Sequence, residues 1–79
     1  MKNTNLKIGG VIKQYRENVL DMTVNELSYK MELSANAIRY WENGETAITL
    51  ANATKFQSLL PKQHQKKFAE TIKAIFLEK

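Results

Sequence analysis

Between Thr23 and Gly44 the chain carries its densest run of helix punctuation, and no other stretch restricts the fold as strongly. Thr23 is followed three residues later by Glu26. In this T-x-x-E pattern hydroxyl and carboxylate each satisfy a backbone N–H at the helix start. Ser34 supplies a second N-cap. Asn43-Gly44 supplies a stop, because Gly takes the left-handed C-cap conformation cheaply. The spacing predicts helices over 24–31 and 35–43, joined by a short turn at Glu32-Leu33. Two short helices so joined make a helix-turn-helix.

Helical spacing continues on both sides. A first helix is predicted from about Ile8 to Asn18, with Ile8, Ile12 and Tyr15 on one face. Gly9 and Gly10 each cost about 1 kcal/mol in a helix interior. Near the predicted start the cost is lower, and both permit close packing. Leu27 and Met31 face inward on the second helix, and Ile38 and Trp41, with Ala37 beside them, on the third. Thr49 caps a fourth helix reaching Leu60, with Leu50, Ala53, Phe56 and Leu60 on one stripe. Pro61 prevents its continuation. A fifth helix over 62–77 sets Phe68, Ile72, Ile75 and Phe76 on one face. With one Pro, three Gly and no strand-like alternation, the expectation is an all-α fold of five helices. Its 79 residues form a single domain over 1–79.

Several function classes drop out. The absence of Cys removes disulfides, thiolate zinc sites and a Cys nucleophile. No apolar run approaches the roughly 20 residues that span a bilayer. The start, MKNTNLKIGG, has no apolar signal region, so a cytoplasmic protein is expected, bacterial or phage in origin. His64 stands alone and reads as a surface residue, not a metal ligand. There is no paired-carboxylate site, no Ser/His/Asp order and no glycine-rich phosphate loop. The chain reads as a non-enzyme without cofactor, metal or small-molecule ligand.

The net charge of +4 weakly favours a polyanionic partner. Its distribution is uneven: residues 1–16 carry +4, residues 17–45 carry −4 and residues 46–79 carry +4. The acidic middle contains the two punctuated helices, which opposes contact with a polyanion there.

Residues Ile8 to Arg16 read I-G-x-x-I-K-x-x-R, and Met22 to Leu27 read M-T-x-x-E-L. Leu33-Ser34, Ile38 and W-E-N-G (Trp41 to Gly44) follow, then a capped helix after a short loop. In this order and spacing the chain resembles the Cro/repressor-type (XRE-like) helix-turn-helix domains of bacteria and phages, over about residues 6–60. The resemblance implies a five-helix lambda-repressor-like domain, here with an extended C-terminal helix. It also implies a dimer acting on transcription. The third helix would enter the major groove of double-stranded DNA and the second would lie across it, its N-terminus near phosphate. It further implies an ion pair between Arg16 and Glu42 that ties the first helix to the third.

With Ile38 and Trp41 inward, the outward positions are Ala35, Asn36, Arg39, Tyr40 and Asn43. Asn matches adenine at N6 and N7, Arg clamps guanine at O6 and N7, and Ala touches a thymine methyl. Asn36 and Arg39 are the base-reading candidates, with Ser34 and Tyr40 at base or backbone. In the docking that the resemblance implies, Thr23 would reach phosphate with Asn25 and Lys30 as nearby candidates, and Thr46 and the backbone N–H groups of its loop would bind the DNA backbone. Lys7 and Lys13 either add charge toward phosphate or are plain surface lysines. Three positions depart from the family pattern. Val24 replaces a Gln, Ser28 an Ala and Glu32 a Gly of the turn. A Glu held at positive φ there costs roughly 1 kcal/mol more than Gly.

The C-terminal helix ends in I-F-L, and leaving that apolar end wet costs about 25 cal/mol per Å². Part of that face completes the monomer core; a twofold interface through Ile72, Ile75, Phe76 and Leu77 is expected, the alternative being that all of it is intramolecular core. Two readings of function remain. One is a sequence-specific, repressor-like regulator that binds an inverted repeat as a homodimer, controlled by concentration or by a second regulatory protein. The other is a protein-interaction module on the same fold, antitoxin- or antirepressor-like, whose acidic middle binds a partner.

Overall fold

The computed structural model describes residues 2–77, with side chains over 4–77. Those residues form α1 (Lys2–Asn18), α2 (Val24–Met31), α3 (Ala35–Glu42), α4 (Leu50–Leu59) and α5 (Lys62–Leu77). α3 packs against α1 and α2, and α5 packs against α1 and α4. None of the five is long and apolar enough to cross a membrane.

Caps explain the boundaries. At α2 the predicted box is complete: Glu26 N–H donates to the Thr23 hydroxyl (3.1 Å) and Thr23 N–H to Glu26 Oε1 (2.8 Å). Ser34 and Thr49 accept from Ala37 N–H (3.2 Å) and Asn52 N–H (3.1 Å) in the same way. α2 ends where Glu32 turns left-handed (φ 60°), and Leu33 N–H donates back to the Ser28 carbonyl at 2.9 Å. The Lys55 ammonium on α4 then donates to the Met31 carbonyl at 2.6 Å, placing positive charge on α2's C-terminus. The turn between α2 and α3 is thus closed from within and clamped from outside.

One core unites the elements. Ile12, Leu27, Met31, Ile38, Phe56 and Phe68 are fully buried, and Ile8, Trp41, Ile48, Leu60 and Ile75 are nearly so. Phe68 meets Phe56 with ring centroids 5.3 Å apart and Tyr15 edge-on at 5.2 Å, so α5 is joined to both α4 and α1.

Two expectations need correction. α1 begins at Lys2, well before Ile8, so Gly9 and Gly10 lie mid-helix. The polar run Lys2–Lys7 has no apolar period. Part of its support is tertiary, because the Leu6 backbone passes close against Gly44 in the loop after α3. Leu50 shares the side of Ala53 but is 84% exposed, so it stays outside the core that takes Phe56 and Leu60.

Glu32 offers a test of the turn. An L-residue at φ 60° carries local strain that Gly does not, and the Glu32 side chain is exposed. Glu32→Gly is expected to raise unfolding stability by about 1 kcal/mol, read from urea midpoints at unchanged m-value.

Candidate nucleic-acid interface

α3 is a short rod with two unlike edges. Ile38 and Trp41 are buried among α1, α2 and the core, while Asn36, Arg39, Tyr40 and Asn43 are exposed. Ala35 is half-buried beside them. Arg39 and Asn36, one turn apart, are already joined: Arg39 Nη1 donates to Asn36 Oδ1 at 3.1 Å.

The rod is held from α1. Arg16 reaches Glu42 through two hydrogen bonds, Nε to Oε2 at 2.6 Å and Nη2 to Oε1 at 3.0 Å. Both side chains are over nine-tenths buried. Nη1 donates to the Met22 carbonyl at 2.9 Å, immediately before the α2 cap, and Glu17 lies 3.5 Å from Nη2. The hydrogen bonding to Glu42 raises the Arg16 pKa above its ordinary value, against the opposing effect of burial. One guanidinium thus fixes the end of α3 and the start of α2 relative to α1. The ion pair implied by the resemblance is present and neutralises Glu42 inside the fold.

Gly9 makes that approach possible. A Cβ at Gly9 would lie 2.0 Å from the Trp41 carbonyl oxygen and 3.0 Å from Glu42 Cα. The α1 backbone therefore crosses α3 in direct contact, at the residue that carries the ion pair.

The remaining candidates divide. Asn25 is exposed near the start of α2. The Thr23 and Ser34 hydroxyls are exposed but engaged as caps, so each keeps its O–H as a donor. The Thr46 side chain is exposed, but the N–H groups of its loop turn inward. Gly44 N–H donates to Trp41 O, and Glu45 and Thr46 N–H both donate to Tyr40 O. Those amides cap α3 and do not point at a ligand, which corrects the expectation for the loop backbone. Glu26, Glu32 and Glu45 are exposed on or beside α2 and α3, with Lys30 and Arg39 opposing them.

At the far end, Ile75 is buried in the monomer's own core and leaves the expected interface. Ile72 is half-buried, while Phe76 (49%) and Leu77 (76%) are exposed. With Leu50 these two line a shallow apolar groove floored by Ala53, Phe68 and Ile72. Sequence reasoning passed over two residues. Tyr29 on α2 is 84% exposed beside Met22 and Asn25, and its i+4 spacing from Asn25 was the available signal. Lys55 had none, because its partner Met31 lies on another helix.

The chain matches the profile of the helix-turn-helix family over residues 12–72. No curated protein and no solved structure matches it with significance. The matched segment contains Arg16, α2, α3, α4 and most of α5. With that match over most of its length, on five helices that turn the outer edge of α3 to solvent, the chain belongs to the helix-turn-helix family in its Cro/repressor (XRE-like) form, a family of DNA-binding regulator domains.

Proposed function

We propose that the protein is a repressor-like transcriptional regulator that binds an inverted-repeat operator as a homodimer, with α3 in the major groove. The observation that carries this reading is the exposed edge of Asn36, Arg39, Tyr40 and Asn43 on a helix whose other edge is locked by Ile38, Trp41 and the Arg16–Glu42 pair. Arg39 and Asn36 read base edges. Tyr40 and the Thr23 and Ser34 hydroxyls donate to phosphate, as does the Thr46 hydroxyl from the following loop, while Asn25 lies beside the backbone. Ala35 is placed to meet a thymine methyl. Occupancy of a promoter then blocks transcription without further chemistry.

Exposed Glu26, Glu32 and Glu45 weaken the electrostatic attraction of one protomer. Two protomers on a palindrome offset this, with half-sites about one helical turn apart. Ile72, Phe76 and Leu77, joined by Leu50, supply the twofold contact. A Phe76→Glu, Leu77→Glu variant is expected to sediment at monomer mass with its helical circular dichroism intact. An unchanged dimer mass removes this face as the interface.

Binding to random duplex DNA tests the reading. The expectation is a Kd of about 10⁻⁴–10⁻⁶ M that weakens steeply with salt. On a selected operator, Arg39→Ala is expected to cost about 1–3 kcal/mol and to relax preference at one base pair. A protein-interaction module on the same fold is favoured by the same exposed acids and by Tyr29. That reading predicts no DNA binding even at low salt.

A further inference from the structure

The bond between Asn36 and Arg39 restricts what α3 can read. We infer that Asn36 and Arg39 act as one donor-only reading unit, in which Asn36 positions Arg39 over a guanine and the pair selects acceptor-rich base steps over adenine. The inference rests on the DNA-reading role proposed for α3 and names the bases it takes.

A guanidinium has only donors, so the amide atom facing Arg39 must be the oxygen of Asn36. This fixes the orientation of the amide, which is otherwise ambiguous. Asn reads adenine by using both ends of its amide at once: the oxygen accepts from N6–H and the nitrogen donates to N7. Here one of the oxygen's two lone pairs is spent on Arg39 and the oxygen is turned along the helix, so the amide is not free to set both its ends on one adenine, and the Nδ2 donors remain for a base. Arg39 spends Nη1 on the contact and keeps its Nε–Nη2 edge, two parallel N–H donors with the spacing that fits guanine N7 and O6.

The outer edge of α3 therefore presents donors from both residues. In the major groove guanine offers acceptors alone, and thymine offers O4. Cytosine offers a donor, and adenine pairs its acceptor with a donor. The match is a guanine under Arg39, next to guanine or thymine under Asn36. The tether also limits the freedom of a long, flexible side chain before binding, so less is lost when the fork closes on the base.

The test is selection of bound sites from a random duplex pool by the unaltered protein and two variants. Asn36 is exposed, so both variants are expected to keep the parent melting temperature. The parent should recover guanine at one half-site position with guanine or thymine adjacent, and 7-deazaguanine at that position should weaken binding about tenfold. Asn36→Ala should reduce the guanine preference at the Arg39 position about tenfold although Arg39 remains. Asn36→Asp keeps the acceptor that holds Arg39 but loses the donors. It should restore the guanine preference and move the neighbouring position to cytosine, whose N4–H donates. Selection of adenine under Asn36, or a guanine preference untouched by Asn36→Ala, overturns the coupling while leaving DNA reading by α3 in place. Failure to bind any duplex removes the parent reading and the coupling together.

Discussion

Gly9→Ala is expected to cost about 3 kcal/mol, the upper end for overpacking a close contact, while Gly10→Ala one residue away gains about 0.5–1 kcal/mol. The two substitutions add the same methyl to the same helix. At Gly9 it would meet the Trp41 carbonyl oxygen at 2.0 Å, with the Glu42 backbone at 3.0 Å. These are backbone atoms, so no side-chain rotation relieves the clash, and α1 and α3 must separate. Separation loosens Ile8, Ile12, Ile38 and Trp41 together and stretches the 2.6 Å bond from Arg16 to Glu42. At Gly10 nothing lies within 4 Å, so only the better helix propensity of Ala is felt. Urea denaturation of both variants checks this. Equal effects of one sign would mean that α1 does not cross α3 at Gly9.

Arg16→Met is expected to cost about 3–5 kcal/mol, because it leaves the Glu42 carboxylate buried without its partner. A domain of this size has a total stability of about 4–12 kcal/mol, so this single change removes much of it. Glu42→Leu is expected to cost a similar amount by stranding the guanidinium, which keeps its Met22 carbonyl contact. The double variant Arg16→Met, Glu42→Leu should be more stable than either single variant, since no unpaired charge remains. It should still bind DNA less well, because a hydrophobic pair does not fix the aim of α3 or hold the Met22 carbonyl before the α2 cap. Additive losses in the double variant would show that the two side chains do not act as a pair.

The parts of this fold that were legible in the sequence are those set by local chemistry. Thr23–Glu26, Ser34, Thr49 and Gly44 marked their helix ends because a cap is a bond between near neighbours. The inward residues of α2 and α3 followed from spacing alone. The outward edge of α3 followed by exclusion, and the Arg16–Glu42 pair came from the resemblance and not from any spacing rule. What escaped depended on contacts between distant residues. The first turns of α1 pass against Gly44, and Lys55 reaches Met31, with no periodicity to announce either. Leu50 carried the right spacing, but spacing gives the direction of a side chain and not the extent of the surface it meets. That part of the α5 face completes the monomer core was legible, but that Ile75 is the residue taken was not, since spacing does not say where the cover ends. The loop amides near Thr46 were misplaced because their acceptor, the Tyr40 carbonyl, is found only once the chain turns back over α3.

The most direct measurement is a nuclear magnetic resonance titration of isotope-labelled protein with a duplex of random sequence at low salt, which needs no operator. The account predicts the largest shifts at Asn36, Arg39, Tyr40 and Asn43, with smaller ones at Thr23, Asn25 and Thr46, all reversed by added salt, and little change along 62–77. Shifts concentrated on the lysines of α5 with α3 unmoved would contradict it.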